Sequence, residues 1–335
     1  MHKIKHITWK APLSLDERIC LDLTEWYNDG HYYGEITAAK ELDGVIHHTN
    51  GNHSFSVKGL PGHFTGKREA DTVVVMLNPG QNVSDADKRE TIDNEIKKLN
   101  IDTSSLSSFI DTYKNGQANY GNLSQGDSFD VKQARFLKSW KNSGINFPNG
   151  FPQDPNTYDE AKRKMLLDKL QLELVPYCSK EFVANPKCLE QLLPFVETLF
   201  KEIFSRKREY VIFCGNVFEK LFTLYAEQHP NSVKLLRKKG PFCKSVNNKT
   251  VIEAIQIRGR KIKPSCTIYT ISYNGKIQHF LIANTFAYRG LSGCNMDKYG
   301  ELCYNEYANY CIKQNAYFCD SCMEKGNRNR ITKEE

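Results

Sequence analysis

The sequence predicts an α/β fold, a three-layer α/β/α sandwich around a central, mostly parallel four-stranded sheet. Two patterns and one size argument carry this. Short runs such as "VVVML" at Val73–Leu77 are apolar throughout and rich in β-branched residues, as strands covered on both faces are. Segments with apolar residues at helical spacing alternate with them. The 335 residues are 40% hydrophobic, enough for one sizeable core with elaborations or for two domains.

Along the chain, a helix is expected around residues 13–27, followed by the Gly- and His-containing loops "DGHYYGE", "DGVIHHTNGNHSF" and "KGLPGHF". Seven of the nine histidines, including His63, fall in this region at spacings that match no metal motif, and they read as surface or loop residues. Residues 1–69 form an N-terminal extension packing on the core. The first strand stops at Asn78-Pro79-Gly80, where three turn formers bend the chain. In open α/β sheets that end is where ligands bind. Asn-Pro-Gly after a strand is also a common turn.

Residues 84–99 read as a polar helix. The stretch 104–155 is rich in Ser, Asn, Gly and Pro and is too long for an ordinary connection, so it is an insertion. A helix over 158–170 should lead into a second strand, "LELVPYCS" at 172–179. Pro186 opens an amphipathic helix carrying Leu189, Leu192, Leu193, Val196, Leu199, Phe200 and Ile203, which Pro194 should kink. A third strand at 210–215 and a helix at 216–228 follow. A basic loop then leads to strand-like 251–257, and a hairpin turns at Asn274-Gly275. The last strand runs into "IANTFAYRGLSG".

The net charge of +7 comes from 46 basic and 39 acidic residues, with clusters at Arg237-Lys238-Lys239 and at Arg258, Arg260, Lys261 and Lys263. Such clusters fit a phosphate-contacting face as well as a solvated one. No apolar run approaches 18 residues, so no membrane span is expected. Eleven cysteines behind an amino terminus without an apolar leader imply a reducing compartment, hence the cytoplasm, or the nucleoid in a bacterium.

"ADTVVVMLNPG" resembles the first motif of the uracil-DNA glycosylase superfamily, a strand ending in a G-x-N-P-G type loop. "LELVPYCS", "YVIFCG" and "IANTFAYRGLSG" are similar to its later motifs, in the family's order, over residues 70–293. The resemblance implies a DNA glycosylase that flips a base out of duplex DNA and hydrolyses its bond to the sugar, with no cofactor for catalysis. Asn78 would hold the attacking water through its side-chain carbonyl. Gly80 stands where strict uracil enzymes place a Tyr that excludes a 5-substituent, with Gln81 beside it on the substrate side. The family's His-Pro-Ser-Pro is replaced by "IANTF", so Asn284 is the nearest donor to the departing base. Phe286, Tyr288 and Arg289 would supply the wedge and the phosphate contacts. Tyr177 or Ser179 would hydrogen-bond the base, although the resemblance assigns neither a role.

The missing His and the open Gly80 favour a bulky modified pyrimidine, such as a hypermodified phage cytosine, and a defence role. Uracil or mismatch repair is the alternative, as is an inactive member that binds modified DNA. A nucleotide-processing hydrolase on the same kind of sheet is a further reading. The partner is double-stranded DNA, and a monomer is expected.

Residues 294–335 form a Cys-rich appendage. Cys319-x-x-Cys322 is a knuckle spacing, and Cys303 and Cys311 would complete four thiolates for a structural zinc, with an iron–sulfur cluster as second choice and Cys294 as a spare. Unligated thiols on a tyrosine-rich helix are the plain alternative.

Overall fold

The computed structural model of the protein describes residues 8–28, 31–32, 34–46, 54–81, 83–115, 128–140, 168–242, 256–257, 260–261, 265–286 and 293–315. Apart from two short two-stranded ladders, Tyr27–Asn28 with His31–Tyr32 and Gln256–Ile257 with Arg260–Lys261, its strands are β1 (Phe64–Gly66), β2 (Thr72–Met76), β3 (Lys169–Glu173), β4 (Tyr210–Cys214), β5 (Val233–Phe242), β6 (Cys266–Tyr273) and β7 (Lys276–Ala283). They make one seven-stranded mixed sheet in the order β1-β3-β2-β4-β7-β6-β5. The central β3, β2, β4 and β7 are mutually parallel. β1, β6 and β5 are added antiparallel at the edges.

The fold is therefore α/β as expected, but the sheet has seven strands where four were expected. Of the three added strands β6 is an arm of the expected hairpin, while β1 and β5 carry no clear strand pattern. β1 is three residues long, and β5 covers Arg237-Lys238-Lys239, where the pattern suggests a basic loop. As an edge strand β5 pairs on one side only and is largely exposed, so charged side chains cost it nothing and discourage a further strand. β3 also begins three residues before the expected 172.

The helices are α1 (Leu15–Trp26), α2 (Thr37–Ile46), α3 (Arg89–Lys98), α4 (Leu106–Asn115), α5 (Ser128–Leu137), α6 (Leu193–Ile203), α7 (Val217–Gln228) and α8 (Gly293–Asn315). A capping box starts α1: Ser14 accepts from the Glu17 amide while the Glu17 carboxylate accepts from the Ser14 amide. The run over 84–99 splits, because Lys88 is extended between a one-turn helix at Val83–Ala86 and α3. Pro194 acts as expected: a 3-10 turn at Pro186–Leu192 gives way to α6, and Pro194 sits in its first turn, where a missing N–H leaves no bond unmade. Asn274 (φ 49°) and Gly275 (φ 81°) take the left-handed pair that a two-residue hairpin requires.

β2 feeds both faces of the sheet. Val73 and Val75 join α1, α2, α3, α4, α6 and α7 in one core; Val74 and Met76 join α5 and α8 in the other. Helix α8 corrects the expected appendage. Met296, Tyr299, Cys303, Tyr307 and Tyr310 recur every three or four residues and are all buried in the second core, so residues 293–315 belong to the sandwich. The insertion likewise supplies α4 and α5; the rest of it, and residues 316–335, lie outside the described residues. No described helix is long and apolar enough to cross a membrane.

Where α5 and α8 touch, Gly300 meets the Phe136 backbone so closely that a Cβ would overlap the Phe136 carbonyl. Gly300→Ala should therefore push the helices apart and destabilise the protein by about 1–3 kcal/mol, read as a melting temperature lower by several degrees. An unchanged melting temperature would mean the two helices do not pack at this distance.

Candidate functional site

Parallel pairing brings four carboxyl ends to one edge of the sheet: the loops after β3, β2, β4 and β7. The first two are zipped together. Leu174 and Val175 donate to the carbonyls of Met76 and Leu77 (both 2.9 Å), Ser179 donates to that of Pro79 (3.2 Å), and Gly80 bridges Ser179 in parallel register. Gly215, at φ 147°, packs against Leu77 and donates to the Ala283 carbonyl (2.8 Å), tying the third end to the fourth. The loop "GLPGHF" supports Pro79 from behind: Gly62 donates to the Pro176 carbonyl (2.7 Å), and a Cβ on it would come within 2.9 Å of the Pro79 ring.

Asn78 is half-buried at the centre of this edge. Its Nδ2 donates to the carbonyls of Pro79 (3.1 Å) and Tyr177 (3.2 Å) and to Ser179 Oγ (2.8 Å). Backbone carbonyls only accept, so they determine which way the amide faces. Oδ1 is left as an acceptor that no donor among the described residues reaches. Gly80 is exposed, and a Cβ there would meet nothing within 4 Å. Gln81 is half-buried next to it, its amide donating to the Pro79 carbonyl (3.2 Å).

The other expected residues have different duties. Tyr177 is buried with its hydroxyl donating to Asp22 (3.0 and 3.1 Å to the two oxygens), so its side chain faces the core and not a ligand. It reaches the site through its carbonyl. Ser179 is also buried; it accepts from Asn78 and donates to the Glu181 carbonyl (3.1 Å). Both residues orient Asn78. Asn284 lies two strands away, about 10 Å along the same edge. Its Oδ1 accepts from the Ser265 amide (2.9 Å) and from Tyr299 Oη (3.0 Å), which leaves its NH2 as the free donor among the described residues.

Phe286 corrects the expected wedge. It is fully buried with its ring 4.8 Å from that of Phe136, so it anchors the last loop to α5 and is not presented to DNA. Tyr288 and Arg289 lie outside the described residues. The cysteine set also changes. Cys303 and Cys311 are eight residues apart on one helix, a rise of about 12 Å, too far to share a tetrahedral ion. Burial also holds the Cys303 thiol well above its ordinary range, and it is hydrogen-bonded to Cys266. Cys319 and Cys322 fall outside the described residues, among which no group of three metal-ligating side chains assembles.

Asp22 was not among the expected site residues, and His63, expected at the surface or in a loop, lies in a loop but is buried. They pair at 3.2 Å, both buried, beneath Tyr177. The signal was present in α1, whose buried face of Leu15, Arg18, Ile19, Asp22, Leu23 and Trp26 carries two charged residues in an apolar stripe. A small cavity between Arg18, His63, Phe195 and Thr198, with room for about one water, adjoins them. Compared with known proteins, the chain matches no family model, no curated sequence and no solved structure.

Tyr177→Phe would leave the buried Asp22 carboxylate short of a donor. We expect a loss of about 1–3 kcal/mol in urea unfolding, because the desolvation cost of the stranded acceptor stays when its partner goes. Wild-type stability in this variant would show that the Asp22–Tyr177 bond does not form.

Proposed function

We propose that the protein is a DNA glycosylase of uracil-DNA glycosylase type, acting on a modified pyrimidine flipped out of duplex DNA. The observation that carries this reading is the Asn78 amide, whose donors are all committed to the protein and whose oxygen is left to accept. Such an oxygen, at the carboxyl edge of a parallel sheet, holds a water molecule in a set direction. An amide cannot accept the water's proton as a base does. Catalysis then rests on placing the water against the anomeric carbon while the glycosidic electron pair leaves with the base. The open space at Gly80 supports a bulky 5-substituent, and the polar composition of the 104–155 insertion suits a hydroxylated or glycosylated one, whose hydroxyls need partners once buried. A monomeric, cytoplasmic defence enzyme without a catalytic cofactor fits this reading. The absence of a His from "IANTF" favours a second reading, an inactive chain that binds modified DNA.

Single-turnover assays on duplexes carrying uracil, 5-hydroxymethylcytosine and glucosylated 5-hydroxymethylcytosine test the proposal, with alkali revealing abasic sites. The glucosylated base should be released fastest. Asn78→Ala should slow release by about 10²-fold or more with duplex affinity retained, since the residue holds water and not phosphate. Fastest release of uracil would favour repair, and binding without release would favour the inactive reading.

A further inference from the structure

The face of β3 toward α5 breaks the hydrophobic pattern of the sheet. Leu170 and Leu172 face the first core, while Lys169, Gln171 and Glu173 face the other side. The three are linked head to tail. Lys169 Nζ and Gln133 Nε2 donate to Gln171 Oε1 (2.7 and 3.0 Å), and Gln171 Nε2 donates to Glu173 Oε1 (2.7 Å). Lysine only donates, so the Gln171 amide can face one way alone. Glu173 Oε2, at the end of the chain, is closed to solvent and has no partner among the described residues. Burial pushes this carboxyl up to about 8, against the opposing effects of the Gln171 bond and the Lys169 charge. Among the described residues, Lys169 on its own strand and Cys214 on β4, whose thiol burial holds far above its ordinary range, act on its charge, and Arg18, His63 and Glu202 line the small cavity that Glu173 also borders. A neutral acid whose Oε1 already accepts carries its proton on Oε2. The row therefore ends in an O–H that the described protein does not satisfy.

Register relates this O–H to the site. Glu173 pairs with Met76 across parallel strands, two residues before Asn78, which lies in the bend that ends β2. The acid therefore lies one strand over from the water-holding residue, near the same carboxyl edge of the sheet.

We propose that Glu173 is a catalytic residue, the acid that protonates the departing base. This rests on the glycosylase reading. As the bond from the anomeric carbon to the base nitrogen breaks, its electron pair goes to the base, which takes the Glu173 proton on a ring nitrogen or carbonyl oxygen. The water held by Asn78 adds its oxygen to the anomeric carbon and releases a proton, and Glu173 takes up a proton again once the departing base leaves the site open to water. The Lys169 charge, relayed through Gln171, stabilises the carboxylate left behind.

The test uses the full chain and whichever of the three duplexes above it cleaves fastest. Wild-type single-turnover rates should fall about tenfold per pH unit above about pH 8, as Glu173 loses its proton. Glu173→Gln keeps the shape and an N–H donor but cannot give up a proton. It should be about 10²-fold slower at neutral pH, show no alkaline fall, and bind the duplex as wild type does. A rate within about twofold of wild type, or the same alkaline fall in the variant, would overturn the proposal. No release by the wild-type chain at any pH would instead remove the glycosylase reading, and this proposal with it.

Urea unfolding gives a readout independent of activity. A carboxyl raised in the native state holds a proton that the unfolded chain releases, so its stabilising effect is complete below about pH 4 and is lost as pH rises toward about 8. Glu173→Gln should therefore gain stability relative to wild type over that range. Parallel pH dependence of the two proteins would show that the acid is not held neutral, and the proposal would fall.

Discussion

Strand β2 is buried along its whole length, and its alternating side chains supply two separate cores. A strand in that position has no face or edge left for water. Both edges must be paired and both faces covered, which brings β3 and β4 alongside it and helices to either side. Its backbone can escape the sheet only at its ends, and the carboxyl end is where Asn78 emerges. The burial of five consecutive residues thus locates the candidate site before any polar contact is considered.

What makes that end more than a turn is the source of its hydrogen bonds. Asn78 donates to Tyr177 and Ser179 of the neighbouring loop, and Tyr177 is in turn held by Asp22 of α1, ninety-nine and one hundred and fifty-five residues away in the pairs Asn78–Tyr177 and Tyr177–Asp22. Gly62, in the loop before β1, lies against Pro79. The loop is oriented by elements distant in sequence, each of which must fold before the amide is set. Held in this way, a side chain can direct a water without reorganising when charge develops.

The polar row on β3 is the complementary case. Lysine, glutamine and glutamate side by side on an inner face oppose the hydrophobic effect, and a structure selected for stability alone would replace them. Local rules tend to be broken where function requires it. Here the breach lies on the strand that pairs with the one Asn78 ends.

Periodicity was enough to recover the α/β class, the central strands, the Pro194 interruption and the Asn274-Gly275 hairpin, because each depends on local pattern or local backbone preference. The place of Asn78 at a strand end was legible for the same reason. The directions of Tyr177 and Phe286 were not: a single aromatic has no period, and whether it meets a core or a ligand depends on the packing partners, Asp22 for one and Phe136 for the other. Cys303 and Cys311 looked like ligands until helix α8 spaced them along its axis. The edge strand β5 and the His63–Asp22 pair were likewise decided by tertiary contacts. Sequence determines which face a regular element buries; only the assembled fold determines what that face is buried against.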